Sequence, residues 1–474
     1  MNSPKTQRKQ AAQQPVQVGE LYAARQKLHV RSVTGSFASW RWVLVWITQL
    51  IFYGLPWLDW NGRQAVLFHL TERKFYLFDW VFWPQDVFYL AILLIISAYA
   101  LFFFTAVAGR LWCGYACPQT VYTEIFMWIE EKIEGDHNQR RKLEAAPMNG
   151  RKLALRSAKY SVWGLLSLWT GFTFVAYFTP LQELLESAAT LGFGPWEAFW
   201  ILFYGGFTYL FAGVMREQVC KYMCPYARFQ SVMFDPDTLV ITYDQERGEP
   251  RGSRKKGIEP RSAGLGDCID CGICVQVCPT GIDIRQGLQY ECIGCAACID
   301  GCDQVMDKMG YPRGLIRYST ENAVKQHWGR KEILVHVLRP RTLLYGGVLV
   351  LVTLAMLWGL ATRPDLRVDV IRDRATLARE VQDGLIENVY QLRVMNMLEA
   401  PRVMEIAVGG LEGIRIDGSG RVEVQPASTE SVTVRVRVPA GAGAPGSHNI
   451  HFAIGVASGP AASLREETTF ILPR

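Results

Sequence analysis

Five stretches of the chain are apolar enough, and close enough to the roughly 20 residues that cross a bilayer, to be read as membrane spans. They run over residues 40–57, 86–108, 158–178, 196–215 and 342–361. Trp and Tyr gather at their ends, as they do at lipid–water interfaces. A buried soluble helix accounts for any one of these stretches but poorly for all five. After residue 363 the pattern changes period. "RVEVQPASTESVTVRVRVPAG" and "HNIHFAIGVASG" alternate in twos between Gly/Pro-rich breaks. Val432, Val434, Val436 and Val438 would line one face of a strand, with Thr433, Arg435 and Arg437 on the other. Several such strands in about 110 residues predict a β-sandwich.

Charge orients this pattern. The loop between the second and third stretches holds Arg110, Lys132, Arg140, Arg141, Lys142, Arg151, Lys152 and Arg156, whereas "TPLQELLESAATLGFGP" between the third and fourth holds no Lys or Arg. By the positive-inside rule the N-terminus, the 109–157 loop and the 216–341 segment are expected on the cytoplasmic side. An odd number of spans then leaves the β domain outside. Arg63, Arg73 and Lys74 in the first outer loop are an exception. The N-terminal stretch with Lys5, Arg8, Lys9, Arg25 and Lys27 lacks the apolar core of a signal peptide and reads as a retained cytoplasmic tail.

Composition fits apolar spans alternating with soluble parts: half of the 474 residues are hydrophobic, fifteen are Trp, and the net charge is only +6. The cysteines carry more information. All twelve fall in four short motifs, whereas a disulfide framework would scatter them through a small secreted domain. "GDCIDCGICVQVCPTGIDIRQGLQYECIGCAACIDGCDQ" contains Cys-x2-Cys-x2-Cys-x3-Cys twice. In two-cluster ferredoxins three cysteines of one run join the distant fourth of the other. That rule gives one cluster to Cys268, Cys271, Cys274 and Cys302 and the other to Cys292, Cys295, Cys298 and Cys278. Pro279 follows Cys278 as usual, while Asp303 stands where a proline is expected after Cys302. Zinc, the competing metal, favours two separated Cys-x2-Cys pairs and leaves the repeated third cysteine without a role.

The other four cysteines form two Cys-x3-Cys-Pro pairs, Cys113/Cys117 and Cys220/Cys224, in "GRLWCGYACPQTVYTEIFM" and "REQVCKYMCPYARFQSVMF". Each has an Arg three or four residues upstream and shares Tyr-x-Cys-Pro, an internal echo that suggests two parallel hairpins, spans one–two and three–four. If helical, each pair would share one helix face, and four thiolates could converge at the cytoplasmic mouth of the bundle. Soft thiolates suit Cu(I) or an iron–sulfur centre. Buried apolar cysteines at helix ends are the plainer alternative. Met215, Met223 and Met233 fit core packing better than thioether ligation.

No nucleotide-binding fingerprint is present, and the seven scattered histidines offer no haem site; His69 and His336 read as surface or interfacial residues. "RGSRKKG" beside the membrane reads as a topology signal rather than a nucleic-acid site.

The twin Cys-x3-Cys-Pro motifs at span ends, the two-cluster segment before a last span and the C-terminal β domain together resemble the cytochrome c oxidase accessory protein family CcoG, also called FixG or RdxA. The likeness runs from about Tyr22 to the end. It implies an immunoglobulin-like fold after about Arg363. It also implies a role in maturing cbb3-type oxidases, with Cu(II) reduced to Cu(I) for insertion. Cys113, Cys117, Cys220 and Cys224 become candidate copper-handling catalytic thiols, and the other eight cysteines ligands of two [4Fe–4S] clusters. Oxidase assembly factors and a copper transporter or chaperone would be partners, with a cytosolic electron donor.

The expected architecture is a mixed membrane protein. Residues 1–38 form a cytoplasmic tail and 39–225 a four-helix membrane domain. Residues 226–341 are a cytoplasmic segment with the ferredoxin domain at about 258–310, 342–361 the fifth span, and 363–474 a periplasmic immunoglobulin-like β domain. The setting is a bacterial inner membrane. Two other functions remain open at this point: a subunit that oxidises quinol, for which Gln49 and Glu197 are the polar candidates within the spans, and a non-catalytic assembly scaffold.

Overall fold

The computed structural model describes residues 28–473 except 261, 263, 374–377, 382–383, 440 and 458–463. The expected tail up to residue 27, with its basic residues, lies outside the described residues.

The first helix, α1 (Ser36–Gly54), is capped by a residue distant in sequence. The Phe37 and Ala38 N–H groups donate to the Asp300 carboxylate at 3.3 and 2.7 Å. A negative charge at a helix N-terminus satisfies the free N–H groups and complements the dipole. The chain then forms an antiparallel three-stranded sheet, Val66–His69, Lys74–Leu77 and Trp80–Phe82, before α2 (Val87–Ala108), which carries no charged side chain. Gly109, at φ 56°, ends it.

Four short or polar helices follow: α3 (Leu111–Tyr115), α4 (Pro118–Glu134), α5 (His137–Ala145) and the first turns of α6 (Gly150–Val175). After α7 (Leu181–Thr190), α8 (Pro195–Thr208) continues as a π-helical stretch to Met215, and α9 (Pro225–Met233) follows the second cysteine pair.

Among the described residues three helices are long and apolar enough to cross a membrane: Pro84–Ala108, Pro195–Met215 and Pro340–Ala361. α1 and α6 are of comparable length, 19 and 26 residues, but carry charge. Arg41 sits in α1, and the N-terminal turns of α6 hold Arg151, Lys152, Arg156 and Lys159, so α6 turns apolar only beyond Lys159.

The hairpin pairing expected from the internal echo holds for only one unit. α6 packs so closely on α8 that a Cβ on Gly171 would collide with the Ile201 carbonyl oxygen. Small residues allow such backbone contact between apolar helices. α2 instead packs along the last helix, with the Tyr89 hydroxyl donating to the Gly359 carbonyl. α1 lies against α3 and α6 because its polar groups find partners on that side: Arg41 pairs with Glu124 of α4, and the Tyr53 and Thr170 hydroxyls are 2.8 Å apart.

A buried ionic network joins these helices. Glu130 of α4 meets Arg140, Lys159 and Arg216, and Lys159 also meets Glu134 at 2.6 Å.

The C-terminal part is a two-sheet sandwich. One sheet orders Arg415–Asp417, Thr429–Pro439, Leu385–Asn396 and Leu366–Arg372, with Arg379–Val381 also pairing the long strand. The other orders Arg421–Val424, Arg402–Gly409, Gly446–Val456 and Leu464–Leu472. Val434, Val436 and Val438 are buried while Thr433 and Arg435 are exposed, the alternation read from sequence.

This sandwich docks on the small sheet before α2. Val81 and Trp83 share a core with Met395, Met397 and Ala427, and the buried Asp86 binds Arg363 and Arg367. Arg63 pairs with Glu399. Of the three exceptional positive charges in that loop, Arg63 is thus a docking residue, whereas Lys74 pairs locally with Glu72.

Candidate iron–sulfur and rim-thiol centre

The segment between α9 and the last helix folds as one packed unit that is longer than the cysteine runs. Val240–Tyr243 pairs antiparallel with Ile316–Ser319, and Ile241, Tyr243, Ile299, Met306, Leu315 and Ile316 bury the cysteine loops beneath them. Two cavities lie inside. Cys268, Cys271, Cys274 and Cys302 line one, with Ile273, Met306 and Leu315. Cys278, Cys292, Cys295 and Cys298 line the other, where Cys274 also reaches the wall. Asp303, in the place of the expected proline, accepts from the Gly314 N–H at 3.0 Å and so secures the loop after the last cysteine.

Among the described residues no three Cys, His, Asp or Glu side chains converge on a position for one metal ion. Four thiols spread around an apolar cavity instead fit a polynuclear cluster with one thiolate per iron. Burial pushes Cys274 up to about 11 and Cys292 and Cys302 up to about 12. These thiols therefore surrender protons when metal binds.

The Cys-x3-Cys-Pro pairs do not lie on continuous helix faces. Cys113 is in the short α3 and Cys117 is the N-cap of α4; Cys220 lies in a π-helical turn and Cys224 is the N-cap of α9. Proline forces this break. It lacks the N–H an ongoing helix needs and holds the preceding residue extended, with ψ 127° at Cys117 and 111° at Cys224. Each proline then opens the next helix at its first position.

The four rim thiols lie near one another, so that Cys220 senses Cys117, Cys113 and Cys224 electrostatically, but contrary to the expected convergence no three of them meet at one metal position. Burial, chiefly, and these neighbours push Cys220 up to about 12, and Cys113 rises to about 11, while Arg110 pulls both the other way. Cys113 donates to Gln230, and the Thr120 hydroxyl to the Cys113 carbonyl. Met223 is exposed rather than packed.

Backbone meets backbone where the rim touches the ferredoxin unit. A Cβ on Gly114 would lie 2.8 Å from the Gly294 carbonyl oxygen and 2.9 Å from Cys295 N and Cα. Gly294, at φ 70°, faces the Arg110 carbonyl in turn. Cys113 and Cys220 pack on the cluster of Val277, Ile293, Cys295 and Ala297. The Tyr318 hydroxyl donates to the Gly294 carbonyl, fixing the loop from behind.

Three residues of this centre escape a motif reading. Asp300 sits between two cysteines yet caps α1. Arg285 binds Asp270 and Asp283 and places its charge near Cys274. Arg41 acts on the Cys295 thiol. A lone arginine in an apolar stretch is the one signal that could have marked Arg41. His69 accepts from the Glu72 N–H, and His336 stacks on Trp328. Glu197 caps α8 by accepting from the Gly194 N–H.

Comparison with known proteins agrees with this organisation. A "4Fe-4S dicluster domain" family model matches residues 215–321, a "4Fe-4S binding domain" model residues 90–135, and a model of the "IG-like fold at C-terminal of FixG" residues 356–473. "Nitrogen fixation protein FixG" of Rhizobium meliloti is 36% identical over 463 residues, covering 89% of this chain and 88% of the relative. "Protein RdxA" and "Protein RdxB" of Cereibacter sphaeroides are 39% and 40% identical, covering 89% and 90% of this chain and 90% and 92% of theirs. The chain is therefore a membrane iron–sulfur protein of the electron-transfer class, built to carry two [4Fe–4S] clusters. It belongs to the FixG family, whose members include RdxA and RdxB.

Proposed function

We propose that this protein is a multi-pass inner-membrane cupric reductase acting in the maturation of a cbb3-type cytochrome c oxidase. In this reading α1 and α6 join the three apolar helices as spans. The rim and the ferredoxin unit then face the cytoplasm and the sandwich faces the periplasm. The two ends of α2 support the arrangement: the sandwich docks at its start, and the rim cysteines follow its end.

Cys268, Cys271, Cys274 and Cys302 hold one cluster, and Cys278, Cys292, Cys295 and Cys298 the other; bound there, [4Fe–4S] clusters supply single electrons. The rim thiols bind copper as substrate, favouring the softer Cu(I). Arg110 holds positive charge beside them and Gln230 orients Cys113. The observation that carries the reading is the contact of Gly114 with Gly294 and Cys295, which sets the copper-binding thiols against a ligand loop of the second cluster. Cu(I) passes from there to a copper chaperone, a transporter or the oxidase assembly factors.

The test is Cu(II) reduction by anaerobically purified, dithionite-reduced protein, with Cys113, Cys117, Cys220 and Cys224 changed together to Ser. Loss of most of the rate at unchanged iron content is expected. An unchanged rate removes the rim thiols from the reaction.

A further inference from the structure

The basic run "RGSRKKG", expected to face the membrane, is fastened instead to the first cysteine set. Residues 250–256 carry four cationic side chains and no acidic one. The Gly252 N–H donates to the Cys268 carbonyl at 3.2 Å, and the Gly266 N–H to the Pro250 carbonyl at 2.8 Å. Arg254 turns inward: its guanidinium donates to the Gly266 and Cys268 carbonyls at 2.7 and 3.4 Å and lies over the Tyr311 ring. Arg251, Lys255 and Lys256 are exposed. Arg251 meets Glu249 at 3.8 Å, and neither lysine has a partner among the described residues. The carboxylates of Asp267, Asp270 and Asp283 are held by Arg247 and Arg285. Glu259 follows as a single exposed carboxylate, which leaves the loop a net positive charge. Of the twelve cysteines Cys271 alone is exposed, and it belongs to the set this loop is fastened to. Arg285 stands on the same cavity wall, and Arg251 acts electrostatically on its partner Asp283.

We infer that this loop is the docking site of a soluble, acidic one-electron carrier protein, which delivers its electron beside Cys271. The donor's flavin or iron–sulfur group is oxidised by one electron and the first cluster is reduced by one; no bond forms or breaks and no proton moves in that step. Location favours such a donor over anionic lipid. The rim, where membrane helices end, packs on the second cysteine set, whereas among the described residues no membrane helix contributes to the wall of the first cavity. Cys274 lines both cavities, so an electron entering at Cys271 has a direct course to the second set and on towards the rim. Complementary charge speeds encounter more than it tightens binding, which suits a partner that must leave after each transfer. Interfaces of that kind stay below about 1,200 Å². Ile258, exposed two residues beyond Lys256, supplies apolar contact within the charged surround. The inference deepens the proposed function: it rests on the two clusters carrying electrons but not on the copper chemistry.

The test uses the full chain, purified anaerobically with its clusters, and two acidic probes, a flavodoxin and a plant-type ferredoxin. Binding of the labelled probes, read by fluorescence anisotropy at about 0.01 M salt, where charges act over about 30 Å, should be saturable for at least one. Lys255→Glu together with Lys256→Glu should weaken that binding about tenfold or more. It should slow stopped-flow reduction by the reduced probe as much, with iron content and the extent of reduction by dithionite unchanged. The difference should shrink as added salt screens the charges. Arg141→Glu together with Lys142→Glu makes an equal charge change on exposed residues of α5 and should behave like the parent. No saturable binding of either probe, equal losses in the two double variants, or protection of the loop lysines from acylation by phosphatidylglycerol nanodiscs but not by the probes overturns the site. The quadruple rim Cys→Ser protein should accept electrons from the probe at the parent rate, so failure of the copper reading is told apart.

Discussion

Replacing Gly114 by Ala adds a single methyl group at the point where the rim meets the ferredoxin unit. Its carbon would lie 2.8 Å from the Gly294 carbonyl oxygen and 2.9 Å from Cys295 N and Cα. All three are backbone atoms, so no side chain can swing aside, and the 292–298 loop must retreat by about half an ångström to reach ordinary contact. Overpacking of this kind costs about 1–3 kcal/mol, a shift of roughly 5- to 150-fold in the docking equilibrium. The loop cannot easily give way. Tyr318 holds the Gly294 carbonyl, Arg110 faces Gly294, and the neighbouring cysteines line the second cavity. Hydrogen exchange on anaerobically purified protein should show residues 290–298 and 111–118 losing protection together, with faster iron loss to a chelator. Gly206→Ala, where a Cβ meets nothing within 4 Å, is the control and should behave like the parent. If Gly114→Ala matches that control in both exchange and iron retention, the close backbone contact does not hold the dock and the reasoning fails.

Other expectations follow from the same geometry. Cys302→Ser and Cys278→Ser should each cut iron to about half while damaging different clusters, so that electron paramagnetic resonance of the two variants differs; identical residual spectra would refute the crossed ligand sets. Asp86→Asn leaves Arg363 and Arg367 without their buried carboxylate, a loss of about 3–5 kcal/mol that should make the linker near residue 363 protease-sensitive; an unaltered digestion pattern would count against the docking. In the sandwich, burial works against the charge on Glu387, but hydrogen bonds and charges from Arg437 and Arg379 outweigh it and hold its pKa below the ordinary glutamate value. A depressed folded pKa stabilises fully above that ordinary value and the contribution drains away as pH falls through the folded one. Pepsin sensitivity of residues 364–473 should therefore climb between about pH 5 and pH 3, and Glu387→Gln should flatten that rise; an unchanged profile would exclude Glu387 as its source.

Periodicity and spacing alone determined a good part of this protein. Apolar runs marked the helices, two-residue alternation marked the Val434, Val436 and Val438 face, and twin cysteine quartets marked the clusters, because each of these signals is local or repeats at a fixed interval. What depended on distant partners had no such mark. The Cys-x3-Cys spacing suggested one helix face, but the proline after each second cysteine holds that cysteine extended and ends the helix before it. Repeat similarity suggested two equal hairpins, yet Arg41 and Tyr53 drew α1 towards α4 and α6. Asp300, lying inside a cysteine run, turned out to cap a helix more than 260 residues away in sequence. Only the tertiary structure decided that the rim thiols lie against the second ferredoxin loop. Contacts of this kind are set by shape and by the pairing of buried charge between distant segments, and no window of sequence contains both halves.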